Sequence, residues 1–288
     1  MTLRELIAEA EALLRSGPHP DRARLDAETL LLHLLKQNRA WLLGHTDDSA
    51  SMDTQEFYTA SLEFYAASIA RRQAGEPIQY ITGEAEFFGL PFSVSPGVLI
   101  PRPETEHLVE EVIRLASAFT EPRIADIGTG SGAIAVALAH SLPLAHITAT
   151  DLSTQALAIA KQNAIRNHVE DRIKFLEGDL LAPLTGQSFH IIASNPPYVP
   201  LSDRDSLSAE VREYEPHSAL FAGDDGLSIY RRLIPEASVL LVMGGWLVME
   251  IGYGQRDAVG DMLKAHDYRE VRFIKDYRRI SRVVIGQR

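Results

Sequence analysis

The chain has 288 residues, 45% of them hydrophobic and 23% charged, which excludes a disordered, collagenous or coiled-coil protein and suggests two domains of roughly 150 residues each. It has no cysteine, so disulfides, thiolate zinc sites and a cysteine nucleophile are excluded, and its ten histidines are scattered with no HExxH-type cluster for a metal. The net charge of −11 divides into 8 basic against 11 acidic residues up to Gly75 and 20 against 28 beyond it, so neither part has the basic footprint of a protein that holds nucleic acid by its phosphates.

Residues 1–75 read as helices. Leu3, Leu6, Ile7, Ala10, Leu13 and Leu14 recur at three- and four-residue steps, as do Leu25, Leu30, Leu31, Leu34 and Leu35. A third series through Phe57, Leu62, Phe64, Tyr65 and Ile69 ends at Arg71-Arg72 and Gly75. These spacings predict a small bundle of three amphipathic helices. Residues 76–101 change character: Phe87, Phe88, Phe92, Val94, Val98 and Ile100 lie among Gly83, Gly89, Pro91, Pro96 and Gly97, the signature of a short hairpin that links two domains. Pro103 then suits a first helical turn, with Glu104 and Glu106 well placed against the helix dipole.

From 102 to 288 the pattern is α/β. Strands are expected at Arg123–Ile127, Ile147–Thr150, Ile173–Leu176, His190–Ser194 and Trp246–Ile251. Helices fall between them at Ala133–His140, Thr154–Asn167 with Ser153 as N-cap, Leu227–Val242 and 256–265. Tyr268–Ile274 and Arg282–Ile285 leave no room for a helix, so they form an antiparallel pair at the edge of a mostly parallel, Rossmann-like seven-stranded sheet. The longest apolar run, Ala237–Met249, is shorter than the roughly 18 residues a membrane helix needs, and the N-terminus lacks a signal-peptide core. A cytoplasmic protein is expected.

Two motifs carry chemistry. Asp126, Gly128, Thr129, Gly130, Ser131 and Gly132 form a turn between the first strand and its helix, and Asp151 closes the next strand 21 residues after Gly130. Glycines let backbone approach a ligand, and a carboxylate at Asp151 accepts from ribose hydroxyls. The turn satisfies both an S-adenosylmethionine pattern and, through Gly128-x-Gly130-x-x-Ala133, a dinucleotide one. Asp126 favours the first, because an anion suits an ammonium and a sulfonium better than a phosphate. Asp179, after the third strand, is placed to accept from an adenine amine.

Asn195-Pro196-Pro197-Tyr198 follows the strand His190–Ser194, at the edge where ligands bind in open α/β sheets. The Asn195 side-chain oxygen and the Pro196 carbonyl can accept both hydrogens of a planar NH2 group and aim its lone pair at a methyl carbon. The prolines hold the backbone open and Tyr198 offers a flat face. Catalysis is then positioning and polarisation, with no strong base required.

These residues resemble the HemK/PrmC family, the N5-glutamine methyltransferases of peptide chain release factors. The resemblance spans nearly the whole chain and rests on Pro77-Ile78-Gln79-Tyr80-Ile81, Leu99-Ile100-Pro101-Arg102-Pro103-Glu104-Thr105-Glu106, Asp126–Gly132, Asn195–Tyr198, and Glu215-Pro216 leading to Gly223–Tyr230. It implies an S-adenosylmethionine-dependent methyltransferase sheet behind a helical substrate-recognition domain (1–75), a hairpin linker (76–101) and a catalytic domain (102–288). The implied substrate is the glutamine of the Gly-Gly-Gln loop of release factors, and the implied product of the cofactor is S-adenosylhomocysteine. By the same resemblance Asp126, Gly128–Gly132, Asp151, Asp179, Leu180 and Asn195 hold the cofactor, and Asn195, Pro196, Pro197 and Tyr198 hold the amide. Leu180 stands where some relatives have an aromatic, replacing a stack on adenine with an apolar contact. Arg102 and Glu104 shape the pocket wall. A monomer without metal, membrane or direct nucleic-acid contact is expected. The alternatives are an adenine-N6 nucleic-acid methyltransferase, an NAD(P) oxidoreductase and a non-catalytic binding module.

Overall fold

The computed structural model describes residues 1–48 and 55–288, with side chains from residue 61 onward in the helix that begins at 55, so the expected core position Phe57 lies outside the described side chains. Two compact units are present. One comprises Met1–Gly83 and Ser208–Tyr214, the other Glu84–Leu207 and Glu215–Arg288.

The first unit holds α1 (Leu3–Leu14), α2 (Ala23–Leu35), α3 (Arg39–His45), α4 (Gln55–Gln73) and α5 (Ile78–Thr82). Thr2 caps α1 in a capping box: its hydroxyl accepts the Glu5 N–H at 3.2 Å, and its own N–H donates to the Glu5 carboxylate at 2.8 Å. Leu3, Leu6, Ile7, Ala10 and Leu14 are buried as the spacing predicts, but Leu13 is exposed. In α2 the inward face is Ala23, Ala27, Leu30 and Leu31, while Leu25 faces water. Asp26 also faces inward, because Arg72 of α4 meets it at 2.6 Å with both side chains buried. Short α3, capped by Asn38, and α5, closed by Gly83 in the left-handed region, add to the three helices expected. Both are too short for apolar periodicity to reveal.

The second unit opens with a hairpin, β1 (Glu84–Phe87) and β2 (Leu90–Ser93), turned by Phe88 and Gly89, both at positive φ. Phe87 and Phe92 are buried in the core that α6 (Glu106–Ala116) covers with Leu108, Val109 and Val112. Asn163 bonds both the N–H and the carbonyl of Ser93 at 2.6 and 2.9 Å, pinning the hairpin to this unit.

The remaining elements are β3 (Arg123–Ile127), α7 (Ala133–Ser141), β4 (His146–Asp151), α8 (Thr154–Arg166), β5 (Ile173–Glu177), β6 (Phe189–Ser194), α9 (Ala209–Tyr214, in the first unit), α10 (Ser228–Leu240), β7 (Leu241–Glu250), α11 (Arg256–Ala265), β8 (Arg269–Lys275) and β9 (Ser281–Gln287). The seven-stranded sheet runs β5-β4-β3-β6-β7-β9-β8, with β9 alone running opposite to the other six strands. One face carries the core under α6 and α7, and the other packs Tyr230, Leu233, Ile234 and Leu263 of α10 and α11. Ser153 caps α8 as expected, accepting the Ala156 N–H at 3.1 Å. At β7 the structure differs from the expected strand at Trp246–Ile251. Leu241 already pairs with Phe189, and Trp246 re-enters register opposite Ile191. The bulge between them turns at Gly244, at φ +78°, and at Gly245, where a Cβ would lie 3.0 Å from the His190 carbonyl.

Candidate active site

The glycine turn is held to the end of β4. The N–H groups of Gly128 and Thr129 both donate to the Thr150 carbonyl at 2.9 Å, and the Gly130 N–H donates to Asp151 Oδ2 at 2.8 Å. Asp151 Oδ1 takes the Ser153 N–H at 2.9 Å, so this carboxylate ties together the starts of two loops and keeps further lone pairs for a ligand. Gly128 and Gly130 have positive φ, and nothing lies within 4 Å of where a Cβ would be on either. That open space belongs to a cavity of about 350 Å³, within the usual range for small-molecule sites.

Of the residues expected to hold a cofactor, Gly128, Thr129, Gly130, Ser131, Asp151, Asp179, Leu180 and Asn195 line this cavity. Asp126 and Gly132 do not. Gly132, at φ +82°, is where the turn packs on α8: a Cβ there would meet that of Ala160 at 3.0 Å. Asp126 is fully buried beneath the turn. Its Oδ2 accepts the Thr129 hydroxyl at 2.6 Å, the Ala135 N–H also stabilises the carboxylate, and Oδ1 has no hydrogen-bond partner within normal geometry. Burial pushes its carboxyl up to about 7, with the Asp151 charge adding to the rise and the Thr129 hydroxyl opposing it. Asp179 sits at the rim, half exposed, paired with Arg232 at 2.6 Å.

Asn195, Pro196 and Pro197 line the same cavity. Tyr198 does not: its ring packs where a Cβ on Gly252 would be 2.9 Å away, and its hydroxyl donates to Glu250 Oε1 at 3.2 Å. Burial and the neighbouring Glu250 raise its phenol, so it stays protonated. Glu250 Oε2 accepts the Thr105 hydroxyl at 2.6 Å, and Thr105 accepts from Asn195 Nδ2 at 3.0 Å. Sequence reasoning gave neither Thr105 nor Glu250 a role. Glu250 had one visible signal, a lone carboxylate at the end of an otherwise apolar strand. It is fully buried, and burial pushes its carboxyl up against the pull of the Thr105 and Tyr198 hydroxyls and the Arg282 charge. Arg102 lines the wall and pairs with buried Glu215 at 2.5 Å. Among the described residues no group of three or more His, Asp or Glu is gathered as a metal site.

Gly128, Gly130, Asp151 and the Asn195-Pro196-Pro197 segment therefore surround one cavity at the carboxyl edge of the sheet. The PrmC N-terminal domain model matches residues 5–83, and the methyltransferase small domain model matches residues 105–210. The release factor glutamine methyltransferase of Koribacter versatilis is 42% identical, covering 100% of this chain and 99% of its own. The chain belongs to the release factor glutamine methyltransferase family. The enzyme of that name from Moorella thermoacetica is also 42% identical, again over 100% of this chain and 99% of its own. In solved structures the human Mettl16 catalytic domain, in complex with the MAT2A 3′UTR hairpin 6, superposes with a TM-score of 0.55 at 20% identity, covering 78% of this chain and 81% of that one. A methyltransferase from Pyrococcus furiosus does so with a TM-score of 0.50 at 17% identity, covering 80% and 98%. These two likenesses concern the fold. The expected seven-stranded sheet and helical N-terminal part are both present in this chain.

Proposed function

We propose that the chain transfers a methyl group from S-adenosylmethionine to the side-chain nitrogen of the glutamine in the Gly-Gly-Gln loop of bacterial release factors. The observation that carries this reading is the anchored Asn195 carboxamide. Its NH2 end is taken by Thr105, which leaves Oδ1 as a hydrogen-bond acceptor in the cavity wall. An acceptor suits a primary amide, which presents two N–H donors.

The residues present fit the cofactor. Gly128 and Gly130 leave room where side chains would intrude, Asp151 offers acceptors to a ribose, and Asp179 and Leu180 line the same cavity, where they would meet an adenine. S-adenosylmethionine supplies an electrophilic methyl on a sulfonium. Asn195 and the Pro196 carbonyl orient the amide nitrogen, and the buried frame beneath them keeps that geometry without reorganisation.

The reading extends to the rest of the chain. The helical unit would grip the release factor outside its glutamine loop. Deleting residues 1–75 should therefore weaken apparent affinity for release factor, and a folded variant with unchanged affinity would remove this part. The chain would act as a cytoplasmic monomer without nucleic acid, in keeping with its −11 charge. Among the described residues no helix is long and apolar enough to cross a membrane.

The deciding experiment offers unmodified release factor and unmethylated DNA to the purified protein with S-adenosylmethionine. One added methyl on the Gly-Gly-Gln peptide by mass spectrometry, formed far more slowly by Asn195→Ala while cofactor binding persists, is the expected result. Methyl-adenine with an untouched peptide would overturn it in favour of a nucleic-acid enzyme.

A further inference from the structure

We infer that Thr105, held by the buried Glu250 carboxylate, is a positioning residue that dictates which end of the Asn195 carboxamide faces the substrate, and thereby selects an amide over a carboxylate. This rests on the reading of glutamine as the acceptor.

The argument is one of hydrogen-bond polarity. A carboxamide's two ends are alike in size and opposite in character, one accepting and one donating, so shape alone leaves Asn195 free to face either way. Thr105 lies between Asn195 and Glu250, and its hydroxyl has a single hydrogen. Glu250 Oε2, at 2.6 Å, takes that hydrogen. Only lone pairs then remain for Asn195, whose Nδ2 is at 3.0 Å. The other carboxylate oxygen takes the Tyr198 hydroxyl, and the two hydroxyls with the Arg282 charge favour the ionised, acceptor-only form of Glu250 against the rise that burial causes. Glu250 is itself fixed, since its backbone carbonyl accepts the buried Tyr230 hydroxyl at 2.8 Å. The network therefore has one consistent direction, from Asn195 NH2 to Thr105 to Glu250.

The consequence for substrate is specific. With Oδ1 outward, a glutamine NH2 meets an acceptor and is held. A glutamate oxygen in the same place meets another acceptor and is repelled. A reversed Asn195 would set donor against donor for glutamine and would favour glutamate instead. No other charged side chain in the cavity wall is needed for this discrimination.

The test uses the full-length chain with Thr105→Val, which keeps the shape and removes the hydroxyl, Thr105→Ser, which restores the hydroxyl, Asn195→Ala, and the Thr105→Val/Asn195→Ala double variant. Turnover on release factor and cofactor affinity are measured for each. Thr105→Val should lower kcat by about tenfold or more with cofactor affinity within about twofold, Thr105→Ser should recover most of that loss, and Thr105→Val should cost nothing further once Asn195 is alanine. Independent losses that multiply in the double variant, or equal losses for valine and serine, would overturn the inference. Should the wild-type chain leave release factor unmethylated, the functional reading fails, and the orientation is still read by NMR. The Asn195 side-chain NH2 signals, identified by their absence in Asn195→Ala, should exchange slowly with water in wild type and quickly in Thr105→Val. Unchanged exchange refutes the positioning role whatever the substrate is.

Discussion

Replacing Asp126 with asparagine should change how the stability of the catalytic unit depends on pH. The carboxyl goes from 3.8 in the unfolded chain to about 7 in its buried site. A folded state that holds a proton more tightly than the unfolded one gains from that proton fully below the lower value. It loses the gain progressively as pH rises to the upper one, after which the deficit is constant. At about 1.4 kcal/mol per unit, the rise from 3.8 to about 7 makes the wild-type fold about 4 kcal/mol less stable above the window than below it from this residue alone. Asparagine keeps an acceptor for Thr129 and has nothing to ionise. The difference in unfolding free energy, variant minus wild type, should therefore rise by about 4 kcal/mol in favour of asparagine from about pH 4 to about pH 7. Urea unfolding of both proteins in a Trp41→Phe background measures it, because the remaining Trp246 lies in the catalytic unit. Two stability curves that run parallel across this range would refute the reasoning.

Other variants probe the same frame. Asp151→Ala removes the acceptor that holds Gly130 and Ser153, and cofactor affinity by calorimetry should fall at least about tenfold, since a charge-assisted hydrogen bond contributes about 1.5–3 kcal/mol; unchanged affinity would detach this acid from the ligand. Gly132→Ala forces a side chain into φ +82° and against Ala160, and should lower the urea unfolding free energy by about 2 kcal/mol. A midpoint equal to that of wild type would show that the turn relaxes.

The sequence made the sheet legible because its strands are apolar runs bounded by unmistakable turns, and Ser153 announced its helix by type and position. The short helices α3 and α5 were hidden because one or two turns leave no periodicity to detect. The edges of β7 were misread because Leu241 and Val242 continue the apolar pattern of α10, and only the bulge at Gly244-Gly245 separates a helix end from a strand start. The glycine turn and the Asn-Pro-Pro-Tyr loop were visible as strings, since the chemistry there needs particular backbones. Thr105, Glu250 and the inward-turned Tyr198 were not visible as a set. Their meaning is a direction of hydrogen bonding between residues 145 positions apart, and no local pattern encodes that. Asp126 is expected among the cofactor's contacts, but it lies in β3, fully buried and outside the cavity lining, and no local pattern distinguishes a buried strand acid from one that faces a ligand.

The placement of β9 between β7 and β8 has a consequence for cooperativity. β8 has no neighbour in the sheet other than β9, so the sheet cannot be extended from β7 one strand at a time in chain order. Strand β8 can add only after β9 is in place, and anything that loosens β9 from β7 releases both. Opening of β9 should therefore expose β8 amides as well, while the edge strand β8 can also fray alone. That opening has a chemical price as well: β9 begins beside the Ile251 N–H, which donates to the Arg282 carbonyl at 2.8 Å. Each excursion carries the Arg282 charge away from Glu250, coupling the persistence of this edge to the electrostatics of the site.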